Sequence, residues 1–160
     1  MDSIIPKLLV LDTNVCLDLF VFQDTRWANI LRGLQTGELK AITRQECRDE
    51  WLAVLKYPHL PIQPEQLQEI IQRFDAHIEC QNPPLNHERR LPVCSDKDDQ
   101  KFLEISRDAQ VDTLITKDKA LLKLARKVQN LGMFKIQTPE KFLENHATSC
   151  DQTAVKPTKE

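Results

Sequence analysis

Four acids, Asp12, Glu50, Asp99 and Asp118, stand where a carboxylate is costly to a fold that has no use for it. Asp12 ends the apolar run Leu8-Leu9-Val10-Leu11, and Asp118 comes just after Leu114-Ile115-Thr116. Glu50 interrupts the stripe Cys47, Trp51, Val54, and Asp99 heads the stripe Phe102, Leu103, Ser106. A helix with a purely structural role would carry such acids on its polar face. Two like charges about 4 Å apart repel by roughly 4 kcal/mol at an effective dielectric near 20. A cluster of them therefore takes up protons or holds a cation. Oxygen donors suit Mg²⁺ or Mn²⁺, and the chemistry that follows is metal-dependent hydrolysis of phosphodiesters.

Each acid also has a plainer reading. Asp12 and Asp118 can cap the helices that follow them. Glu50 can sit at the rim of the core against a Lys or Arg, and Asp99 can stabilise a helix start through the dipole. Asp96 and Asp98 rival Asp99, and Asp96 also fits a water-mediated metal role. A phosphoaspartate hydrolase would want a second Asp two residues after Asp12, where Asn14 stands. A catalytically silent module that engages RNA or a protein is the alternative from another class.

The elements that must position these acids alternate. Lys7 to Asp12 reads as a buried strand, followed by helices over Asn14–Phe22 and Arg26–Gln35, with Gly37 after the second. Leu39–Ile42 reads as a strand. Thr43-Arg44-Gln45-Glu46 matches a capping box that opens a helix to about Lys56. Another helix starts at Pro64 with Leu67, Ile70, Ile71 and Phe74 on one face, and Cys80 to Ser95 reads as a loop with room for a short strand. Ser95 and Asp98 signal a helix to Ala109, Val111–Thr116 a strand, Lys119–Val128 a helix, Phe134–Gln137 a strand, and Thr138-Pro139-Glu140 a closing helix. The order β-α-α-β-α-α-α-β-α-β-α predicts an α/β fold with a mainly parallel sheet, its ligands beyond the carboxyl ends of the strands.

Composition excludes several classes. With 160 residues, 41% hydrophobic and 29% charged, the chain reads as one domain over residues 1–145 followed by a polar, frayed tail over 146–160. No apolar run spans a membrane, and Met1-Asp2-Ser3 opens no signal sequence, so a cytoplasmic protein is expected. Five cysteines without a C-x-x-C spacing predict reduced, structural thiols. His59, His77, His87 and His146 lack metal-ligand spacing. A net charge of −2 argues against bulk attraction to nucleic acid, yet Lys117, Lys119, Lys123, Arg126, Lys127 and Lys135 form a basic strip around the single acid Asp118. That strip reads equally as a phosphate-binding face and as a solvated helix face.

Leu8–Val15 with its Asp-Thr-Asn, Glu50–Pro58, Ser95–Leu103 and Val111–Leu122 with its Thr-x-Asp together resemble the PIN-domain ribonucleases over about residues 7 to 144. The resemblance is strongest to the branch of toxin components of toxin–antitoxin systems. It implies a PIN-like three-layer α/β/α sandwich and Mg²⁺- or Mn²⁺-dependent hydrolysis of RNA, leaving a 5′ phosphate. By position, Asp12, Glu50, Asp99 and Asp118 match the acidic tetrad, with Asp12, Asp99 and Asp118 as metal ligands and Glu50 ligating metal or orienting the water. Thr13 and Asn14 match the polar pair of the site, and Thr116 matches the hydroxyl near the last acid. Lys117 stands where many members have Gly. Arg44, Arg48, Lys117 and Lys119 are candidate RNA contacts, with Arg89 and Arg90 behind them. An RNA substrate, a cognate antitoxin and a homodimer are the expected partners.

Overall fold

The computed structural model describes residues 5–86 and 88–153, with side chains through His146. Met1–Ile4, His87 and the end of the polar tail, 154–160, lie outside the described residues. Five strands, β1 (Lys7–Leu11), β2 (Leu39–Thr43), β3 (Ile78–Cys80), β4 (Thr113–Ile115) and β5 (Lys135–Gln137), form one parallel sheet in the order β3-β2-β1-β4-β5. Central β1 shows why the sequence runs apolar without helical period. Leu9 and Leu11 enter the core on one face of the sheet, and Val10 enters the core on the other.

Helices α1 (Thr13–Phe20), α2 (Ala28–Thr36), α4 (Pro64–His77) and α8 (Pro139–Thr153) bury their apolar faces on the Leu9 side. Helices α5 (Gln100–Asp108), α6 (Lys119–Leu122) and α7 (Ala125–Asn130) cover the Val10 side. This is the three-layer α/β/α sandwich that alternation predicts. Helix α3 (Gln45–Val54) belongs to both layers, since Cys47 packs in the second core and Trp51 in the first, stacked on Phe74 at 4.8 Å between centroids. A Cβ at Gly33 would fall 2.5 Å from Leu39 Cδ1, so glycine lets α2 lie close on β2. Gly37 then ends α2 at φ +89°. Among the described residues no helix is long and apolar enough to cross a membrane.

The chain leaves β1 toward β2 and β3, then returns on the other side to β4 and β5. The crevice beyond the carboxyl ends of β1 and β4 is therefore the switch point of the sheet. There the amide of Asp12 donates to the Ile115 carbonyl at 3.0 Å and ties the two strand ends together.

Local departures from the sequence reading have physical causes. The capping box at Thr43 and Glu46 does not form. Thr43 is the last residue of β2, paired with Cys80, and its carbonyl accepts from Gln81 at 2.7 Å. Helix α3 begins after Arg44 without a side-chain cap, and Glu46 pairs with Arg44 instead. β3 hides from pattern reading because only Ile78 of its three residues is buried. The helix expected from Ser95 begins as a 3₁₀ turn, Lys97–Asp99, capped by Asp96, whose carboxylate accepts from the Asp98 amide at 3.0 Å. The helix expected over Lys119–Val128 breaks at Leu124, whose amide bonds the Leu121 carbonyl in a tighter turn.

Candidate active site

Asp12 is placed by the end of β1 and the start of α1. It is only 3% exposed and accepts from the Thr13 amide at 2.7 Å and from the Thr116 hydroxyl at 2.6 Å. Thr116, fully buried just after β4, accepts in turn from the Asp118 amide at 2.9 Å. One hydroxyl thereby fixes the spacing of Asp12 and Asp118 across the switch point. Asp118 also caps α6 through the Ala120 amide at 2.8 Å. The capping roles read from the sequence are real for both acids, and they coexist with their convergence.

Asp96 and Asp99 come from the 3₁₀ turn ahead of α5. Each of Asp96, Asp99 and Asp118 offers a carboxylate oxygen within 4.8 Å of the others. Asp99 is 7% exposed, and its Oδ2 is buried without a hydrogen-bond partner. Burial, the adjacent Asp118 carboxyl, and the charges of Asp12, Asp118 and Asp96 push the Asp99 carboxyl up to about 8. Burial likewise raises Asp12 to about 6; the Thr116 and Thr13 hydrogen bonds oppose it, and the charges of Glu50 and Asp118 add to it. An orphaned buried carboxylate oxygen inside a set of hard oxygen donors fits a divalent cation of the Mg²⁺ or Mn²⁺ kind.

Glu50 stands apart from that trio. Its Oε2 accepts from the Thr13 hydroxyl at 2.5 Å, and its Oε1 lies 2.6 Å from Lys101 Nζ. Burial disfavours the Lys101 charge, but the hydrogen bond and charge of Glu50 outweigh it and hold the ammonium above its usual range. Lys101 also donates to the Asp98 carbonyl. Because α3 contributes to both layers, Glu50 meets α1 through Thr13 and α5 through Lys101. An open groove of about 530 Å³ runs over Glu50, Asp98 and Lys101.

A family profile described as PIN domain matches residues 8–120, which include all five acids of the site. The chain belongs to the PIN domain family. No curated protein and no solved structure matches the chain. PIN domains are in general nucleases, and they typically bind divalent metal ions through acidic residues.

Around the PIN-domain acids, the candidate RNA contacts differ in their surroundings. Arg44 is 12% exposed at its side chain and pairs with Glu46, with Glu104 at 2.5 Å and with Asp108 at 3.8 Å. Arg48 pairs with Asp75 at 2.7 Å and Lys117 with Asp18 at 2.5 Å. Lys119 is exposed and in no ion pair with a described acid. Arg89 donates to the Leu131 carbonyl at 2.9 Å, Arg90 is exposed, and Asn14 is exposed at the start of α1. The four described cysteines are free; Cys16, Cys47 and Cys94 are buried and Cys80 is exposed.

Lys101 at the PIN-domain site, and Asp18, the partner of Lys117, have no counterpart in the sequence reading. Lys101 carries no pattern that announces its partner on α3, because the pairing is long-range. Asp18 was findable: it is an acid inside the apolar stretch Val15–Phe20, the same mark that singled out Glu50.

Proposed function

We propose that this PIN domain is a Mg²⁺- or Mn²⁺-dependent endoribonuclease with Asp12, Glu50, Asp99 and Asp118 as its catalytic acids. The convergence of Asp96, Asp99 and Asp118, with Asp99 Oδ2 buried and unpartnered, carries the reading. Asp96, Asp99 and Asp118 would hold the cation, and Asp12 adds the charge that strengthens their hold. A cation bound there supplies a water of lowered pKa and offsets the negative charge that builds on the phosphate and the departing 3′ oxygen. Thr116 keeps Asp12 and Asp118 in register. To Glu50, held by Thr13 and Lys101 at the wall of the groove, we assign the proton of the attacking water.

Lys119, exposed beside Asp118 and in no ion pair with a described acid, is the phosphate contact we assign first; Lys117 is held by Asp18 and stands second. The resemblance to toxin components supports a role as the toxin of a cytoplasmic toxin–antitoxin pair, with a cognate antitoxin protein and a homodimeric state. The test is cleavage of a defined 5′-labelled RNA in Mg²⁺, Mn²⁺ or EDTA. Metal-dependent products carrying 5′ phosphates, absent from Asp99→Asn, are expected. Cleavage of equal rate in EDTA, or in the variant, would end the nuclease reading. Growth arrest on expression, relieved by the neighbouring gene product, tests the toxin role separately.

A further inference from the structure

On the far side of the switch point lies a second open groove, of about 610 Å³, between α6, α7, β5 and α8. Lys123, Arg126, Lys135 and Lys141 line it together with Gln129 and Gln137, and no acid among the described residues lines it. All four cations are exposed, and none forms an ion pair with a described acid. Arg44, Arg48 and Lys117 contrast with them, each neutralised by a nearby carboxylate. The groove is joined to the acidic centre by the backbone. The carbonyl of Gln137, in its wall, accepts from the Thr116 amide at 2.9 Å, and the Thr116 hydroxyl is the one that holds Asp12.

We infer that this groove is a second binding site, which takes the phosphates of a single RNA strand flanking the bond at the acidic centre. The inference rests on the nuclease reading above and gives the substrate its path. Lys141 enters from α8 and Lys135 from β5, so the site gathers charge from separate parts of the chain, as a helix face alone would not. An acidic peptide matches the four cations too, but it would have to run toward the carboxyls of Asp12, Asp96, Asp99 and Asp118. RNA tolerates that approach, since its phosphate can share a divalent cation with them. The glutamines add neutral hydrogen-bond donors and acceptors for sugars and bases.

The experiment uses the full chain in an Asp99→Asn background, so that a fluorescent 12-nucleotide single-stranded RNA stays intact while its binding is measured against NaCl. Four phosphate contacts on a single strand give a slope of log affinity on log salt of roughly −2.8. Reversing two of them, R126E with K141E, is expected to weaken binding at least tenfold at low salt and to flatten the slope by about half. The neutral pair R126Q and K141Q, less demanding of the fold, is expected to fall between. K56E, a reversal at an exposed lysine outside the groove, is expected to leave binding within about twofold of the parent.

Equal weakening by K56E, unchanged binding in the groove variants, or a 12-residue oligoglutamate that binds as tightly as the RNA would each overturn the inference. Calorimetric titration of the otherwise unaltered chain with Mn²⁺ separates the two readings. A chain that takes up no Mn²⁺ removes the nuclease reading and this one with it. A chain that takes up Mn²⁺ but holds RNA regardless of the groove cations removes this one alone.

Discussion

The ammonium of Lys101 and the carboxylate of Glu50 lie 2.6 Å apart and join α5 to α3 across the mouth of the site. Their side chains are 18% and 27% exposed, so the pair is screened less than an ordinary surface ion pair but is still wetted. A double-mutant cycle of Glu50→Gln and Lys101→Met, read by urea unfolding, is expected to give a coupling of about 1 kcal/mol. Both variants should slow RNA cleavage, Glu50→Gln by about 100-fold or more if it serves as the proton acceptor. Additive unfolding energies would show that the two side chains meet without holding each other.

The carboxyls of Asp99 and Asp12 make the cation-free protein sensitive to base. In the fold they are raised from 3.8 to about 8 and about 6, chiefly by burial. Between about pH 4 and these values the folded chain binds more protons than the unfolded one, so stability falls as pH rises. Melting in EDTA should therefore drop steadily from pH 5 to pH 8, with the Asp12 share spent first. Adding Mn²⁺ at pH 8 should restore the lost temperature, because a ligand of the folded state alone stabilises it. A melting temperature in EDTA that climbs over the same interval would contradict the placement of both acids.

Asp99→Asn follows from the same burial with the opposite sign for function. The amide replaces a charge that has no partner at Oδ2, so the variant should melt a few degrees above the parent in EDTA at pH 8. At pH 5 the parent carries the proton already and the gap should close. Cleavage in Mg²⁺ should fall by at least about 100-fold. An Asn variant that melts lower at pH 8 would show that Asp99 is held as a structural anion.

Much of this was legible beforehand, for reasons that can be assigned residue by residue. Strands buried on both faces leave unbroken apolar runs, so β1 is plain from Leu8 to Leu11, and the helix seams expose Glu50 and Asp99 as acids out of place. What was hidden was either cooperative or long-range. Thr43 and Glu46 spell a capping box, but the strand pairing with β3 takes Thr43 first. β3 itself carries one buried residue, too few for a pattern. Ser95 and Asp98 read as the helix signal and Asp96 as a rival to Asp99, whereas Asp96 is itself the cap of the 3₁₀ turn and stands beside Asp99 and Asp118 together. The match of Lys101 to Glu50 needs α3 to contribute to both cores, which no single segment encodes.

Arg44 is expected to act on stability more than on RNA. Its guanidinium is held among Glu46, Glu104 and Asp108, and Asp108 is 1% exposed at its side chain. Arg44→Met leaves Asp108 with Arg107, at 2.8 Å, as its one cation beside the Asn86 amide at 2.9 Å, and should cost about 3 kcal/mol in urea unfolding. Mn²⁺ affinity should be unchanged. Weaker RNA binding with stability intact would reassign Arg44 as a phosphate contact.

The Thr116 hydroxyl does two jobs at once. It donates to Asp12 Oδ2 at 2.6 Å and accepts from the Asp118 amide at 2.9 Å, so the donor and acceptor roles of one atom set the distance between two acids that lie beyond the ends of different strands. Thr116→Val keeps the shape of a fully buried side chain and removes both bonds. Losing the Asp12 bond removes the main opposition to burial, so Asp12 should protonate more readily than its present value of about 6. The acidic limb of the cleavage pH profile should move upward, and the rate at neutral pH should fall by roughly tenfold or more, in line with about 1–3 kcal/mol for an orphaned buried acceptor. Thr116→Ser restores the hydroxyl without the methyl and should restore the pH profile even if it lowers stability. A valine variant whose profile keeps its acidic limb in place would mean that Thr116 only fills space beneath the site.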